Sequence, residues 1–312
     1  MKRIFKLSIA LIAVVLVAGA GIFWACQKEK IEKMDFTEID KVSSDIADFH
    51  TYAMTKILNN PHLYEDAESK NSIDKLNDFI IKEMLNYDFK YLKIEANTTP
   101  SSYIFDYSAY KEIASIVEKG YDFSKISNAV NTTNSKSISA AARTNTELVV
   151  VNNTVPTPSY NLIERKCQNI ENKMSSLVTI YNDFGQLQTA YLKFVAEELK
   201  DVTFINDYTY LRYYADVYIS SFEYWVNYYS GTKGKLGDIW NKVKVGVGVD
   251  AAGAIGGAIG GAVGGAVVGS LAGGVGAGPG AAVGAVGGAI SCGIGASATY
   301  AITNLTRLGA TN

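Results

Sequence analysis

The stretch that decides the fold is AAGAIGGAIGGAVGGAVVGSLAGG, residues 251–274. Glycine recurs at every fourth position, at Gly253, Gly257, Gly261, Gly265, Gly269 and Gly273, and a second column runs one residue earlier through Gly256, Gly260 and Gly264. The other two columns are Ala254, Ala258, Ala262, Ala266 and Ile255, Ile259, Val263, Val267, Leu271. On a helix turning about 100° per residue these columns become faces. Two adjacent faces are bare backbone, and two carry alanine and a mostly β-branched ridge. This is GxxxG repeated over several turns, a pattern that lets helix backbones touch. From Ala251 to Thr306 the chain holds no Asp, Glu, Lys, Arg or His.

The period breaks at GGVGAGPG, residues 273–280, where crowded glycines and Pro279 suit a sharp reversal. A second uncharged run follows, with Gly276, Gly280, Gly284 and Gly288 also four apart. Each arm is about 24 residues, enough to cross roughly 30 Å of hydrocarbon. The pattern predicts a helical hairpin zipped through glycine. Such an arm is a poor helix in water: the glycines from Gly253 to Gly273 cost about 7–9 kcal/mol of propensity relative to alanine. Membrane or close helix packing must offset that cost. The arm is also weakly apolar for a span, because Gly and Ala fill most positions. Such a segment can pass a secretion channel and insert later.

The rest of the chain narrows the function. A net charge of −2 over 312 residues removes the electrostatic case for nucleic acid. Cys26, Cys167 and Cys292 have neither metal-ligand spacing nor the pattern of a disulfide framework. His50 and His62 are the two histidines, too few for most His-based sites. No His-Glu metal motif, phosphate loop or serine-nucleophile elbow occurs, so the reading is not an enzyme, with no catalytic residue, metal or cofactor.

At the N-terminus, basic MKRIFK precedes an apolar run from Leu7 to Ala25, and Cys26 follows at once, then Gln27, Lys28 and Glu29. This resembles a bacterial lipoprotein signal, although Phe23 and Trp24 depart from the usual Leu-Ala or Leu-Ser pair. The resemblance implies cleavage before Cys26 and its lipidation. The polar tag after it is similar to those that send lipoproteins to the outer face of the outer membrane. Two other readings remain open: an uncleaved N-terminal span, and ordinary cleavage near Ala20.

The middle reads as helices. Ile39, Val42, Ile46, Phe49 and Ala53 keep a 3-4 spacing until Pro61. Ile73, Leu76, Ile80, Tyr87, Tyr91 and Ile94 mark a second helix; Tyr107, Tyr110, Ile113, Ala114 and Val117 mark a third, capped by Gly120. A long Asn/Ser/Thr-rich loop follows, with one short strand expected at Leu148 to Val151. Tyr160, Ile163, Cys167, Ile170, Met174, Leu177, Tyr181 and Phe184 then hold a strict alternation that continues to about Lys200 as one helix despite Gly185. Tyr208, Leu211, Ala215, Tyr218, Phe222, Trp225 and Tyr229 repeat it, so the two make an antiparallel coiled-coil-like pair. Tyr213, Tyr214, Tyr224 and Tyr228 lie off that stripe and either broaden the buried face, line a groove or meet a membrane surface. Lys233, Lys235, Lys242 and Lys244, with Trp240 among them, precede the apolar arm and suit a headgroup region.

The expected fold is all-α: an antiparallel helical bundle with long coiled-coil-like helices, followed by a Gly/Ala-rich glycine-zipper hairpin. Its expected divisions are a signal peptide at 1–25, N-terminal helices at 26–120, a loop or linker at 121–158, a long helical hairpin at 159–230, a basic flexible linker at 231–250 and the membrane hairpin at 251–306. The repeated GxxxG resembles, in kind, the glycine-zipper segments of secreted bacteriocins and contact-dependent antibacterial proteins. It is also similar to the hydrophobic hairpin of pore-forming colicins, which are richer in Leu and Ile. That resemblance implies a lipid-anchored, membrane-active effector of the bacterial cell envelope. Its partners would be the lipid bilayer, further copies of itself through the zipper, and an unidentified immunity or envelope protein. The alternative is a structural envelope lipoprotein whose hairpin is a permanent membrane or oligomerisation anchor. A third reading is a solute- or glycan-binding lipoprotein with a tyrosine-rich ligand site.

Overall fold

The computed structural model describes residues 36–63, 70–92, 107–126, 158–229, 235–271 and 277–304. At 61, 70–74, 77, 107–111, 263–271, 277–284 and 302–304 it describes the backbone alone. The signal and lipidation readings at residues 1–26, the strand expected at Leu148 to Val151, and residues 273–276 of the reversal expected at 273–280 lie outside these residues, while 277–280 of that stretch are helical. The described secondary structure is helical throughout and contains no strand.

The first helix, α1 (Thr37–Leu58), carries Glu38 and Asp40 in its first turn and Lys56 in its last, which complements the helix dipole. Its stripe of Ile46, Phe49, Ala53 and Ile57 is buried, and a single turn, Pro61–Leu63, ends the segment. The second, α2 (Lys70–Asn86), buries Leu76, Ile80 and Met84. It stops eight residues short of the stripe read to Ile94. The cause is Asp45 of α1: its buried carboxylate accepts from the backbone N–H groups of Lys90 (3.2 Å), Tyr91 (2.6 Å) and Leu92 (2.6 Å). Amides satisfied this way hold the chain in a non-helical course that intrahelical bonding would forbid.

Helix α3 (Tyr107–Glu118) ends at Gly120, whose φ of 105° is left-handed and open to glycine. Helices α4 (Tyr160–Ile180) and α5 (Phe184–Glu198) replace the single long helix expected to Lys200. Asp183 caps α5, accepting from the Gln186 amide at 2.9 Å, and the chain turns back at Tyr181–Asp183. The two helices run antiparallel: Lys166 near the start of α4 donates to the Glu198 carbonyl at the end of α5.

Helix α6 (Ile205–Tyr229) is buried on nearly all sides, so Tyr213, Tyr214 and Tyr224 are core residues, and Tyr228 is the one of the four off-stripe tyrosines that stays exposed. Helix α7 (Leu236–Leu271) is about 54 Å long at 1.5 Å per residue. It starts inside the stretch expected as pliable linker, because Leu236, Ile239, Trp240 and Val243 form an apolar face that packs as helix. Helix α8 (Ala277–Asn304) returns antiparallel, with Pro279 in its first turn, where a missing N–H costs no helical bond. Helices α3, α4 and α6 pack against α7, and α2 and α3 against α8. The Gly/Ala hairpin is therefore packed against the amphipathic helices α2, α3 and α4 and against α6.

Candidate functional site

The site is the hairpin and its contact with the surrounding helices. Every residue from Gly246 to Ala262 is buried, and Leu236–Ala262 is long and apolar enough to cross a membrane. Glycine lets α7 and α8 approach to backbone contact. A β-carbon placed on Gly257 would overlap the carbonyl of Gly288, and one on Gly288 would overlap the carbonyl of Gly257. One on Gly253 would lie 2.8 Å from both the Ala296 β-carbon and the Cys292 carbonyl oxygen. The Gly261 α-carbon is 3.2 Å from the position of a Gly288 β-carbon. Gly288, Cys292 and Ala296 are themselves four residues apart, so two four-residue columns face each other across the hairpin.

Of the glycines singled out in the sequence, this contact brings together Gly253, Gly257, Gly261 and Gly288. Gly265, Gly269, Gly280 and Gly284 lie where the helix backbone alone is described, and Gly273 and Gly276 lie outside the described residues. Two glycines that the sequence reading passed over also set close contacts. A β-carbon on Gly246 would sit 2.5 Å from the Tyr300 ring, and one on Gly248 would sit 2.8 Å from the Tyr121 hydroxyl.

The basic flank divides. Lys235, Lys242 and Lys244 are exposed, with Lys242 5.3 Å above the Tyr229 ring, and Lys233 lies outside the described residues. Trp240 is not at the surface: it is 3% exposed, with ring centroids 5.2 Å from Phe222 and 5.9 Å from Tyr218.

The feature that sequence reasoning missed is a polar cluster buried between hairpin and sheath. His50 of α1 meets Ser297 of α8 (Nε2–Oγ 2.5 Å), and Ser221 of α6 donates to Asp250 of α7 (Oγ–Oδ2 2.5 Å). The His50 Nε2 lies 3.9 Å from Asp250 Oδ2, and all four side chains are buried. Ser297 Oγ is also 3.0 Å from the Gly293 carbonyl; when its one proton is given there, it accepts from His50 and the imidazole proton is on Nε2. His50 Nδ1 and Asp250 Oδ1 have no hydrogen-bond partner in the structure. Burial pulls the His50 pKa down to about 4 and pushes that of Asp250 up to about 7. One signal was available: Asp250 is the last acid before the charge-free run, and His50 adjoins the Phe49 stripe.

A second feature is a cleft of about 1040 Å³ between α1, α2, α5 and α6. Tyr52, Tyr87, Asp48, Glu83 and Glu223 line it. Tyr52 donates to Glu83 at 2.6 Å. Burial, then the charge of Asp45, raises the Asp48 pKa; burial, then Asp48, raises that of Glu223. Among the described residues no group of three or more His, Cys, Asp or Glu could hold a metal ion. Comparison with protein families, curated proteins and solved structures returns no match to this chain.

Proposed function

We propose that the chain is a lipid-anchored protein of the bacterial cell envelope that stores a membrane-inserting hairpin inside its own helical bundle and releases it as a membrane-active, pore-forming or antibacterial effector. One observation carries this reading: the described side chains of the longest charge-free stretch, 251–262 and 285–301, are almost all buried, beneath helices that include the tyrosine-rich α6. In ordinary globular cores, bulky side chains fill the interior. Around α6 they do so here too, with Trp225, Tyr214 and Phe222 buried, but between α7 and α8 glycine and alanine form the contact instead. The inserting arms are 251–271 and 277–304, and Asp250 stands at their boundary. Gly253, Gly257 and Gly288 meet within one chain, so the hairpin's own contact, and not a second copy, takes up these three glycines.

Full-length protein with Cys26→Ser, mixed with dye-loaded anionic phospholipid vesicles containing a photoreactive lipid, tests the proposal. The expected result is dye release with lipid adducts concentrated between Ala251 and Asn304. Absence of release, or adducts confined to other helices, overturns it. The lipid anchor has its own test: wild-type protein from growing cells is expected to incorporate labelled palmitate at Cys26, and an intact N-terminal Met1 on the mature protein sinks that part alone.

A further inference from the structure

Each member of the buried polar cluster comes from a different helix: His50 from α1, Ser221 from α6, Asp250 from α7 and Ser297 from α8. Two belong to the sheath and two to the hairpin, and both hydrogen bonds cross from one to the other. The hairpin carries no other charged residue among 251–304, so Asp250 and Ser297 are its polar contacts to this cluster. We propose that these four side chains are the latch that keeps the hairpin in its sheath, and that His50 and Asp250 together bring no net charge into it. The proposal rests on the reading of the hairpin as a releasable element.

The reason is the cost of net charge in this core. A lone buried imidazolium or carboxylate costs several kcal/mol, whereas a pair holding one proton has no net charge. The imidazole Nε2 and the carboxyl Oδ2 are 3.9 Å apart, within one buried cluster. Burial alone acts on His50; burial and then the Ser221 and Ser297 hydroxyls act on Asp250. No charged group of α1, α6, α7 or α8 contributes to either shift.

Between the ordinary values of 3.8 for Asp and 6.5 for His, the unfolded chain carries one proton on His50 and none on Asp250. The folded core also holds one, now on Asp250. The two states bind equal numbers of protons, so the pair adds no pH dependence to stability across that range. The pair thereby holds the hairpin equally in mildly acidic and neutral surroundings and is no acid trigger. Each residue alone would lose this balance, with opposite sign. With Asp250→Asn, a histidine whose folded pKa is depressed remains, so stability falls as pH drops through 6.5 toward about 4. With His50→Gln, a carboxyl whose folded pKa is raised remains, so stability falls as pH rises from 3.8 toward about 7.

The test is urea unfolding of full-length wild-type, Asp250→Asn, His50→Gln and the double variant from pH 4.5 to 8, with vesicle dye release measured in parallel. The expected unfolding constant of Asp250→Asn rises about tenfold per pH unit downward, and that of His50→Gln about tenfold per unit upward. Wild-type and double variant stay flat in comparison, and dye release follows the same pattern. Profiles of the two single variants that run parallel to wild type overturn the latch. Opposite slopes with no dye release from any protein keep the latch and overturn the effector reading instead. Should a single variant fail to fold, the imidazole nitrogen resonances of wild type decide, with exposed His62 as the reference. With the Asp250 carboxyl carbon read in the same sample, a His50 and Asp250 that together hold one proton at pH 5.5 support the latch, and a pair that holds two or none overturns it.

Discussion

At Gly257 a hydrogen atom is the largest side chain the hairpin tolerates, because a methyl group would occupy the space of the Gly288 carbonyl. Two effects oppose one another when Gly257 becomes alanine. Helix propensity improves by about 1 kcal/mol. The overlap is with backbone, which cannot rotate away, so the helices must separate and the core pays an overpacking cost of about 1–3 kcal/mol. The contact wins, and Gly257→Ala is expected to lower the urea midpoint. Gly237 is the matched control. Its β-carbon would stand 3.4 Å from the Val178 carbonyl oxygen, an ordinary contact, so Gly237→Ala is expected to leave the midpoint unchanged or raise it. If both substitutions shift the midpoint alike, close approach at Gly257 is not what the glycine is for. Tyr191 shows the same scale in a polar setting: it is fully buried, and its hydroxyl donates to the Ala215 carbonyl at 2.8 Å, which fixes α5 against α6.

At the scale of elements, periodicity foretold the helices whose apolar residues lie on one stripe. Ile163, Cys167, Ile170 and Met174 are all inaccessible to solvent, as their spacing predicts. It failed where a local signal overruled the stripe. The alternation runs through Tyr181 and Phe184 without a fault, yet the chain breaks there. Asp183-Phe-Gly-Gln186 has the spacing of a capping box, and Asp183 accepts from the Gln186 amide as such a box requires. That signal was present in the sequence and was outweighed by the period. Asp183→Ala is expected to cost about 1 kcal/mol by thermal unfolding, the usual loss for an N-cap, and Asp183→Ser to restore most of it. An unchanged Tm for the alanine variant would mean that tertiary packing alone sets the break. The end of α2 was illegible for a different reason. Asp45 terminates it from 45 residues away in sequence, and no local pattern encodes such a partner. The polar cluster was hidden in the same way, since its four members come from four helices. The stretch before the hairpin misled through composition: its glycines and lysines suggested a linker, while Leu236, Ile239, Trp240 and Val243 carried a helical face.

At the scale of the molecule, the proposed release requires the sheath to open, and the contact between α1 and α6 is where we expect it to part. Thr51 of α1 and Ser220 of α6 bring their hydroxyls within 2.6 Å, and Ser220 also donates to the Ala47 carbonyl. These residues directly adjoin His50 and Ser221, so the α1–α6 seam lies over the latch. Hydroxyls this close put the sulfurs of paired cysteines within bonding reach. Thr51→Cys with Ser220→Cys, in the Cys26→Ser background, is therefore expected to form a disulfide that ties α1 to α6 across the cluster. The remaining cysteines, Cys167 and Cys292, are buried and do not compete for it. Oxidised, the protein should unfold at higher urea and release little dye from vesicles, because the bond constrains the open state more than the closed one. Reduced, it should recover wild-type release within the same sample. The comparison separates two roles for the sheath. If the bundle only needs to be folded, the oxidised protein, being more stable, performs as well as the reduced one. If the bundle must part to free the hairpin, added stability and lost activity arrive together and reverse together on reduction. Full release from the oxidised protein would show that the hairpin leaves by another face, and that α1 and α6 move as one body.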